Sequence, residues 1–314
     1  MNNLDKNWNN LFGEYTGDET AWHGQWTTHS PNQEVINSKQ AIRGFRSNLD
    51  NTVITHINRY LDADGNVVDE KNWQIDRETC NQPDGVIHPA MSSMRALSLG
   101  AGATAWTSQK LIPGKPFGVE LFFRDDNWRT SAAIIYGENG QLNRIVQIRE
   151  HLSCFSDQSP SLGTSEISMN WVGKKRSMTS DLSVSPEEET QISFKQSSGD
   201  SVSEATPKEL ALLRSPYSPS SILRQALPLA LAKRDEVQRD EVQQGEAQAS
   251  ADRKMISLPG GMILMLPEMV TVDRPIQLAA GQRTADEQLK YLTAHYSADG
   301  QFTLLISATL QQQT

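Results

Sequence analysis

Apolar residues in the first half of the chain recur at every second position. Between residues 52 and 61, Val53, Thr55, Ile57 and Arg59 alternate with Ile54, His56, Asn58 and Tyr60. A period of two belongs to a strand with one face on a core. Asp64-Gly65-Asn66 then turns the chain back into residues 67–75. Similar segments lie at 22–29, 85–88, 95–99, 104–110, 117–124, 129–136 and 142–151. Their spacing of roughly 8–12 residues, with turn signals between, predicts an all-β sandwich or barrel. Consecutive hairpins without a long crossover favour an up-and-down barrel, which leaves no open edge. A helical period precedes them. Leu4, Trp8, Leu11 and Phe12 share one face over two turns, and Gly13 supplies the stop.

The pattern breaks after Leu152. Residues 153–165 are rich in Ser, Pro and Gly and read as a linker. A second β-series runs through 167–173 and 190–195 and breaks at the polar stretch 197–206. Residues 208–214 could make two helical turns, and 220–231 is apolar but interrupted by Pro228. Arg-Asp-Glu-Val-Gln then occurs twice in succession over 234–243, and its charge and lack of an apolar stripe predict disorder or a loose, solvated helix. The β pattern resumes at Met255. Leu258-Pro259-Gly260-Gly261-Met262 reads as a tight turn or bulge, because apolar residues bracket the glycines.

The two series look like copies. Lys115-Pro116-Phe117-Gly118-Val119 matches Arg274-Pro275-Ile276-Gln277-Leu278. Tyr136-Gly137-Glu138-Asn139-Gly140-Gln141-Leu142 matches Tyr296-Ser297-Ala298-Asp299-Gly300-Gln301-Phe302. Proline to turn glycine spans 24 positions in the first (116 to 140) and 25 in the second (275 to 300). Asn-Gly and Asp-Gly tolerate the positive φ of tight hairpins. The expectation is a duplicated β-module.

Composition narrows the function classes. The net charge of −9 argues against general nucleic-acid or anionic-membrane binding. Lys174-Lys175-Arg176 is a local basic patch, read as a solvated hairpin tip. Apolar content of 37% and a mean hydropathy of −0.53 describe a polar surface, and no run approaches the ~20 apolar residues of a spanning helix. Cys80 and Cys154 have no metal spacing, which fits a reducing cytoplasm. The six histidines show no HExxH, and neither a G-x-S-x-G elbow nor a phosphate loop occurs. Asp62, Asp64 and Asn66 begin like a calcium loop, but Trp73 stands where the closing glutamate is needed. Neither cysteine has a base adjacent in sequence. The expectation is a non-enzyme without metal or cofactor.

Gly24-Gln25-Trp26, behind a short amphipathic helix, resembles the Gly-x-Trp element of lipocalin-type barrels. In that element the glycine admits a close backbone and the indole plugs the floor. The resemblance puts Arg149, from the last strand of the first series, over the Trp26 indole. Trp106, Phe117, Phe122 and Trp128 are candidate lining of a cavity. The second series has Trp171-Val172-Gly173 instead, which implies a different floor.

Trp22-His23-Gly24-Gln25-Trp26-Thr27-Thr28-His29-Ser30-Pro31, with Trp171-Val172-Gly173-Lys174-Lys175-Arg176 and the 258–262 turn, resembles a cyanobacterial and plastid family. That family includes the chloroplast ATP synthase biogenesis factor and many members without assigned function. The resemblance implies two tandem antiparallel calycin-like barrels (lipocalin- and fatty-acid-binding-protein-like) with a short N-terminal helix. The first would cover 1–155 and the second 156–314, with a flexible insertion at about 197–254. It further implies a non-catalytic, cytoplasmic assembly factor that binds subunits of the ATP synthase head. The alternatives are a carrier of a lipid or pigment inside one barrel and, by fold analogy, a bilin lyase.

Overall fold

The computed structural model describes residues 1–156, 170–193, 253–284 and 288–313. The pentapeptide repeat, the helical turns at 208–214, the apolar stretch at 220–231 and most of the expected linker lie outside them.

Asn2 caps the first helix, α1 (Asn3–Phe12), by accepting the Asp5 N–H at 2.7 Å. Gly13 closes it with an N–H to Asn9. The apolar stripe of α1 buries Trp8 and Phe12. Eight principal strands and three shorter or edge segments follow as one sheet. They are β1 (Thr20–His29), β2 (Val35–Ser47), β3 (Val53–Leu61), β4 (Val67–Asp76), β5 (Asn81–Gln82), β6 (Gly85–His88), β7 (Met91–Gly100), β8 (Ala103–Ser108), β9 (Phe117–Asp125), β10 (Trp128–Tyr136) and β11 (Leu142–Leu152). One helical turn, α2 (Arg77–Cys80), joins β4 to β5. The strand order is β4-β3-β2-β1-β11-β10-β9-β8-β7-β6-β5, so pairing of β1 with β11 brings the two ends of the module together.

The sheet curls into a near-barrel rather than a closed one. Its edges, β4 and β5, do not pair; α2 bridges them and α1 packs against β5, β6 and β7. The expectation of a barrel without edges is therefore corrected. β2 also departs from the sequence reading, which assigned no strand there. Residues 35–40 are exposed on both faces, so the first half of β2 carries no alternation to detect.

The second sheet contains β12 (Asn170–Thr179), β13 (Glu188–Ser193), β14 (Arg253–Leu258), β15 (Met262–Pro267), β16 (Ile276–Arg283), β17 (Gln288–Tyr296) and β18 (Phe302–Gln312), ordered β13-β12-β18-β17-β16-β15-β14. Gly260 and Gly261 both take positive φ in the β14–β15 turn. Lys174, Lys175 and Arg176 stand within β12 rather than at a hairpin tip. Lys174 and Lys175 pair with Glu187 and Glu188, and Arg176 donates to the Leu99 carbonyl.

Strand register shows the duplication residue by residue. Tyr136 pairs with Leu142 and Phe117 as Tyr296 pairs with Phe302 and Ile276. Trp22 and Gly24 face Leu152 and Glu150 as Trp171 and Gly173 face Gln312 and Leu310. The copies dock reciprocally. Tyr136 donates its hydroxyl to Pro267 O at 2.8 Å, and Tyr296 to Ser108 O at 2.9 Å. Leu111 N–H bonds to Gly300 O and Val270 N–H to Gly140 O, each at 2.8 Å. The outer faces of β7–β11 and one face of the second sheet thus form a single core, in which Phe117 packs edge-on to Tyr296.

Candidate functional site

The inward faces of the first sheet enclose a cavity of about 930 Å³. Lining residues reach solvent at both ends. Lys39 and Ala90 are exposed at the end where the β1–β2 and β3–β4 hairpins project, and Glu14, Ala101 and Asp126 at the end crossed by α1. Trp26, Tyr60, Trp73, Trp106 and Phe122 supply aromatic walls. Alternation places them there: each occupies the inward phase of its strand.

Four ionic side chains sit in the wall beside these rings. Arg129 donates to one Glu150 oxygen through Nε at 2.8 Å and Nη2 at 2.6 Å. The other Glu150 oxygen lies 3.5 Å from Arg43 Nε, and Glu120 lies 4.0 Å from Arg43 Nη2. Ser131 donates to Glu120 at 2.7 Å. Arg43, Glu120 and Glu150 are all buried. Burial pushes the Glu120 carboxyl above the usual range, against the pull of Arg43. The Arg43 guanidinium lies over Trp26 at 4.7 Å and over Phe122 at 5.8 Å.

Next to this group His56 and His88 form a directed chain. The Ala90 N–H donates to His88 Nδ1 at 3.1 Å, which leaves His88 Nε2 as the donor to His56 Nδ1 at 2.8 Å. His56 Nε2 then donates to Asn58 Oδ1 at 3.0 Å. Burial, with Arg43 adding to it, lowers His88 to about 4 and holds His56 well below the ordinary imidazole range. Both rings are neutral at pH 7, and their nitrogens are all engaged. They act as aromatic wall: His56 stacks on Phe45 at 4.5 Å, while Trp73 and Trp106 lie near His88 at 5.1 and 5.4 Å.

The second copy shows what else this fold can put at the same positions. Register equates Arg43 with Ile192, Glu120 with Ala279, Arg129 with Leu289 and Glu150 with Leu310. All four equivalents belong to one apolar cluster around the buried Trp171. The ionic set of the first copy is therefore not demanded by the architecture.

The residues singled out from the sequence divide. Trp106 and Phe122 line the cavity, whereas Phe117 lies in the core between the sheets. Trp128 sits outside the cavity, edge-on to His151 at 4.9 Å. Gly24 admits close strand contact: a Cβ there would stand 2.4 Å from the Arg149 carbonyl. Arg149 does not cover Trp26. It faces Gln25 across the ladder, on the opposite face from Trp26, and lies beside Gly260 of the second sheet. The buried indole at the helix end is Trp22, 1% exposed, with Arg129 and Arg124 over it at 4.6 and 5.1 Å. Trp26 is only half-buried and faces the cavity. Trp22-His23-Gly24 and Trp171-Val172-Gly173 are thus the matching pair, which reading Gly24 with Trp26 concealed. Arg43, Glu120, Glu150, His56 and His88 were not anticipated. Away from the cavity, exposed Cys154 has its sulfur 3.1 Å from His151 Nδ1, a neighbour three positions back.

Among the described residues no group of three or more His, Cys, Asp or Glu side chains gathers to hold a metal ion. No helix among them is long and apolar enough to cross a membrane.

Comparison with known proteins agrees on fold and leaves activity open. Residues 4–155 match the model of a domain of unknown function, the N-terminal part of DUF3598. A protein of unknown function from the DUF3598 family of Nostoc punctiforme is 16% identical, with a TM-score of 0.68 over 98% of this chain and 99% of that one. A putative AttH from Nitrosomonas europaea is 7% identical over 93% of this chain and 92% of that one, but its TM-score of 0.20 carries no argument. No protein of curated function matches the chain. The resemblance noted in the sequence is met by an uncharacterised family model over the first module and by the fold of a cyanobacterial protein of that family; neither is described as acting on ATP synthase.

Proposed function

We propose that the first barrel is a container for one small, largely apolar molecule, so that the protein works as a binding or carrier protein. The observation that carries this reading is the contrast between copies: a lined cavity of about 930 Å³ with buried ions in the first, and a packed apolar cluster at the equivalent positions of the second. Ligand sites of ~300–1,000 Å³ with apolar walls and a few convergent polar groups are typical of small-molecule binding. Buried ion clusters rarely add stability over well-packed apolar residues, so a cluster confined to the hollow copy fits a binding role. The histidine chain, closed at both ends, offers no free base, which favours binding over acid–base chemistry.

The test is titration with neutral 1-aminoanthracene, followed by its fluorescence, against the wild type and Ala133→Trp. Ala133 lines the cavity. Saturable binding near one per chain that the tryptophan abolishes is the expected result. Uptake that is absent, or equal in the variant, refutes the container.

An assembly role at the ATP synthase head is a separate proposal. Val35, Ile36, Val67 and Val68 are 50–64% exposed on two hairpins at the same end of the barrel, and such aliphatic tips suit a protein partner. Capture of synthase head subunits by the wild type, lost when all four residues become serine, supports it. Capture that survives the substitution removes this surface from consideration.

A further inference from the structure

The inference builds on the container reading and concerns the chemical class of its contents. Arg43 is 7% exposed and lines the cavity, yet its Nε has no hydrogen-bond partner. Its carboxylate contacts are long, at 3.5 and 4.0 Å, whereas Arg129 holds Glu150 at 2.6 and 2.8 Å. Glu150 is thus committed to Arg129, and Arg43 is left under-used. A buried guanidinium in this condition is costly unless a further acceptor arrives.

The rest of the lining points the same way. The indole N–H groups of Trp22, Trp26 and Trp106 are also buried without partners. The buried side-chain atoms without a partner on cavity-lining residues are therefore all donors, Arg43 Nε and three indole N–H groups, while the one unpartnered Glu150 oxygen belongs to a residue behind the lining. The cavity calls for a ligand that brings acceptors. Cationic contents are disfavoured, because protein cations already cover the rings: Arg43 lies on Trp26 and Phe122, and Lys39 Nζ is 3.9 Å from the Tyr60 ring centre.

We propose that the molecule held in the first barrel is an apolar chain or ring system ending in a single carboxylate, and that Arg43 receives that carboxylate while Trp26, Trp106 and Phe122 pack the apolar body. The planar fork of arginine matches a carboxylate through two parallel N–H donors. Ser131 on β10 donates to Glu120, so one Glu120 oxygen is already engaged away from Arg43.

The experiment uses the full chain, a fluorescent conjugated polyene fatty acid, and the methyl ester of the same acid. The wild type should bind the acid at least about tenfold more tightly than the ester. Arg43→Met should weaken the acid by about the same factor and leave the ester nearly unchanged. Equal affinity of the wild type for acid and ester overturns the carboxylate assignment while leaving the container intact. Binding of neither probe overturns both. The wild-type comparison stands even where Arg43→Met fails to fold, and Arg43→Lys adds a second reading: a cation without the fork should retain only part of the preference for the acid.

Discussion

Replacing Trp22 and Trp26 one at a time separates the barrel plug from the cavity wall. Trp22 is fully enclosed by the cluster of Trp8, Phe45, Ile54 and Ile75, with two guanidiniums over its ring. Truncating such a side chain costs about 3–5 kcal/mol through lost burial and the void left behind. Each cation–π contact adds roughly 0.5–2 kcal/mol to what is lost. Trp22→Ala should therefore remove about 4 kcal/mol or more, a large part of the total for a domain this size. Trp26 is half-buried and already borders empty space, so Trp26→Ala forfeits about half of the transfer energy, opens little new void and loses the Arg43 contact, roughly 2 kcal/mol in all. Urea unfolding at pH 7, followed by far-ultraviolet circular dichroism, measures both. One core spans the two sheets, so a single transition is expected. If Trp26→Ala proves as damaging as Trp22→Ala, the plug has been assigned to the wrong indole. If Trp22→Ala is nearly neutral, the burial argument itself fails.

Three further outcomes follow from close contacts and buried groups. Gly173→Ala should cost about 2 kcal/mol or more in the same unfolding assay, since its Cβ would stand 2.1 Å from Thr309 O and 2.9 Å from Leu310 Cα, both backbone. Tyr136→Phe and Tyr296→Phe should each cost about 1–2 kcal/mol, and by similar amounts, because each strips the donor from a carbonyl at equivalent places between the copies; a strongly unequal pair would argue against reciprocal docking. His88 takes up its proton near 4 when folded but near 6.5 when unfolded, so the unfolded chain binds more protons between those values. The share of stability that His88 contributes should be full above pH 6.5 and fall by up to about 3 kcal/mol on acidification to pH 4, with buried His56 and His295, also lowered, adding to the slope in the same direction. His88→Gln should flatten that part of the curve, and an unchanged slope would show that the ring is not held neutral.

Much of the fold was legible because strands with one buried face write a period of two into the sequence. β3, β9, β10 and β11 were placed within a residue or two of their observed bounds. β2 was missed because residues 35–40 are exposed throughout, so no core face marks them. The duplication was visible in two prolines and two turn glycines, yet its consequence for the site needed register. The site residues are scattered over β1, β2, β3, β4, β6, β8, β9, β10 and β11, and no local motif ties Arg43 to Glu120 or His56 to His88. Lysines in a row suggested a tip, but β12 holds them in a ladder, where Glu187 and Glu188 of the loop and strand beyond answer their charge.

Equivalence between the copies allows the strongest challenge to the functional reading. Arg43, Glu120, Arg129 and Glu150 can be replaced together by the residues of the second copy, as Arg43→Ile, Glu120→Ala, Arg129→Leu and Glu150→Leu. Removing one member alone strands a buried partner and costs about 3–5 kcal/mol, whereas exchanging a whole buried set for apolar residues is often neutral or stabilising by about 1–4 kcal/mol. The backbone at these positions already accommodates that set in the second module. The fourfold variant should thus fold with stability within about 2 kcal/mol of the wild type, or above it. It should still take up a neutral probe but no longer prefer a carboxylate over its ester. Collapse of the fourfold variant would mean that the ions are required by the first barrel itself. Retained preference for the carboxylate would mean that recognition lies elsewhere on the cavity wall.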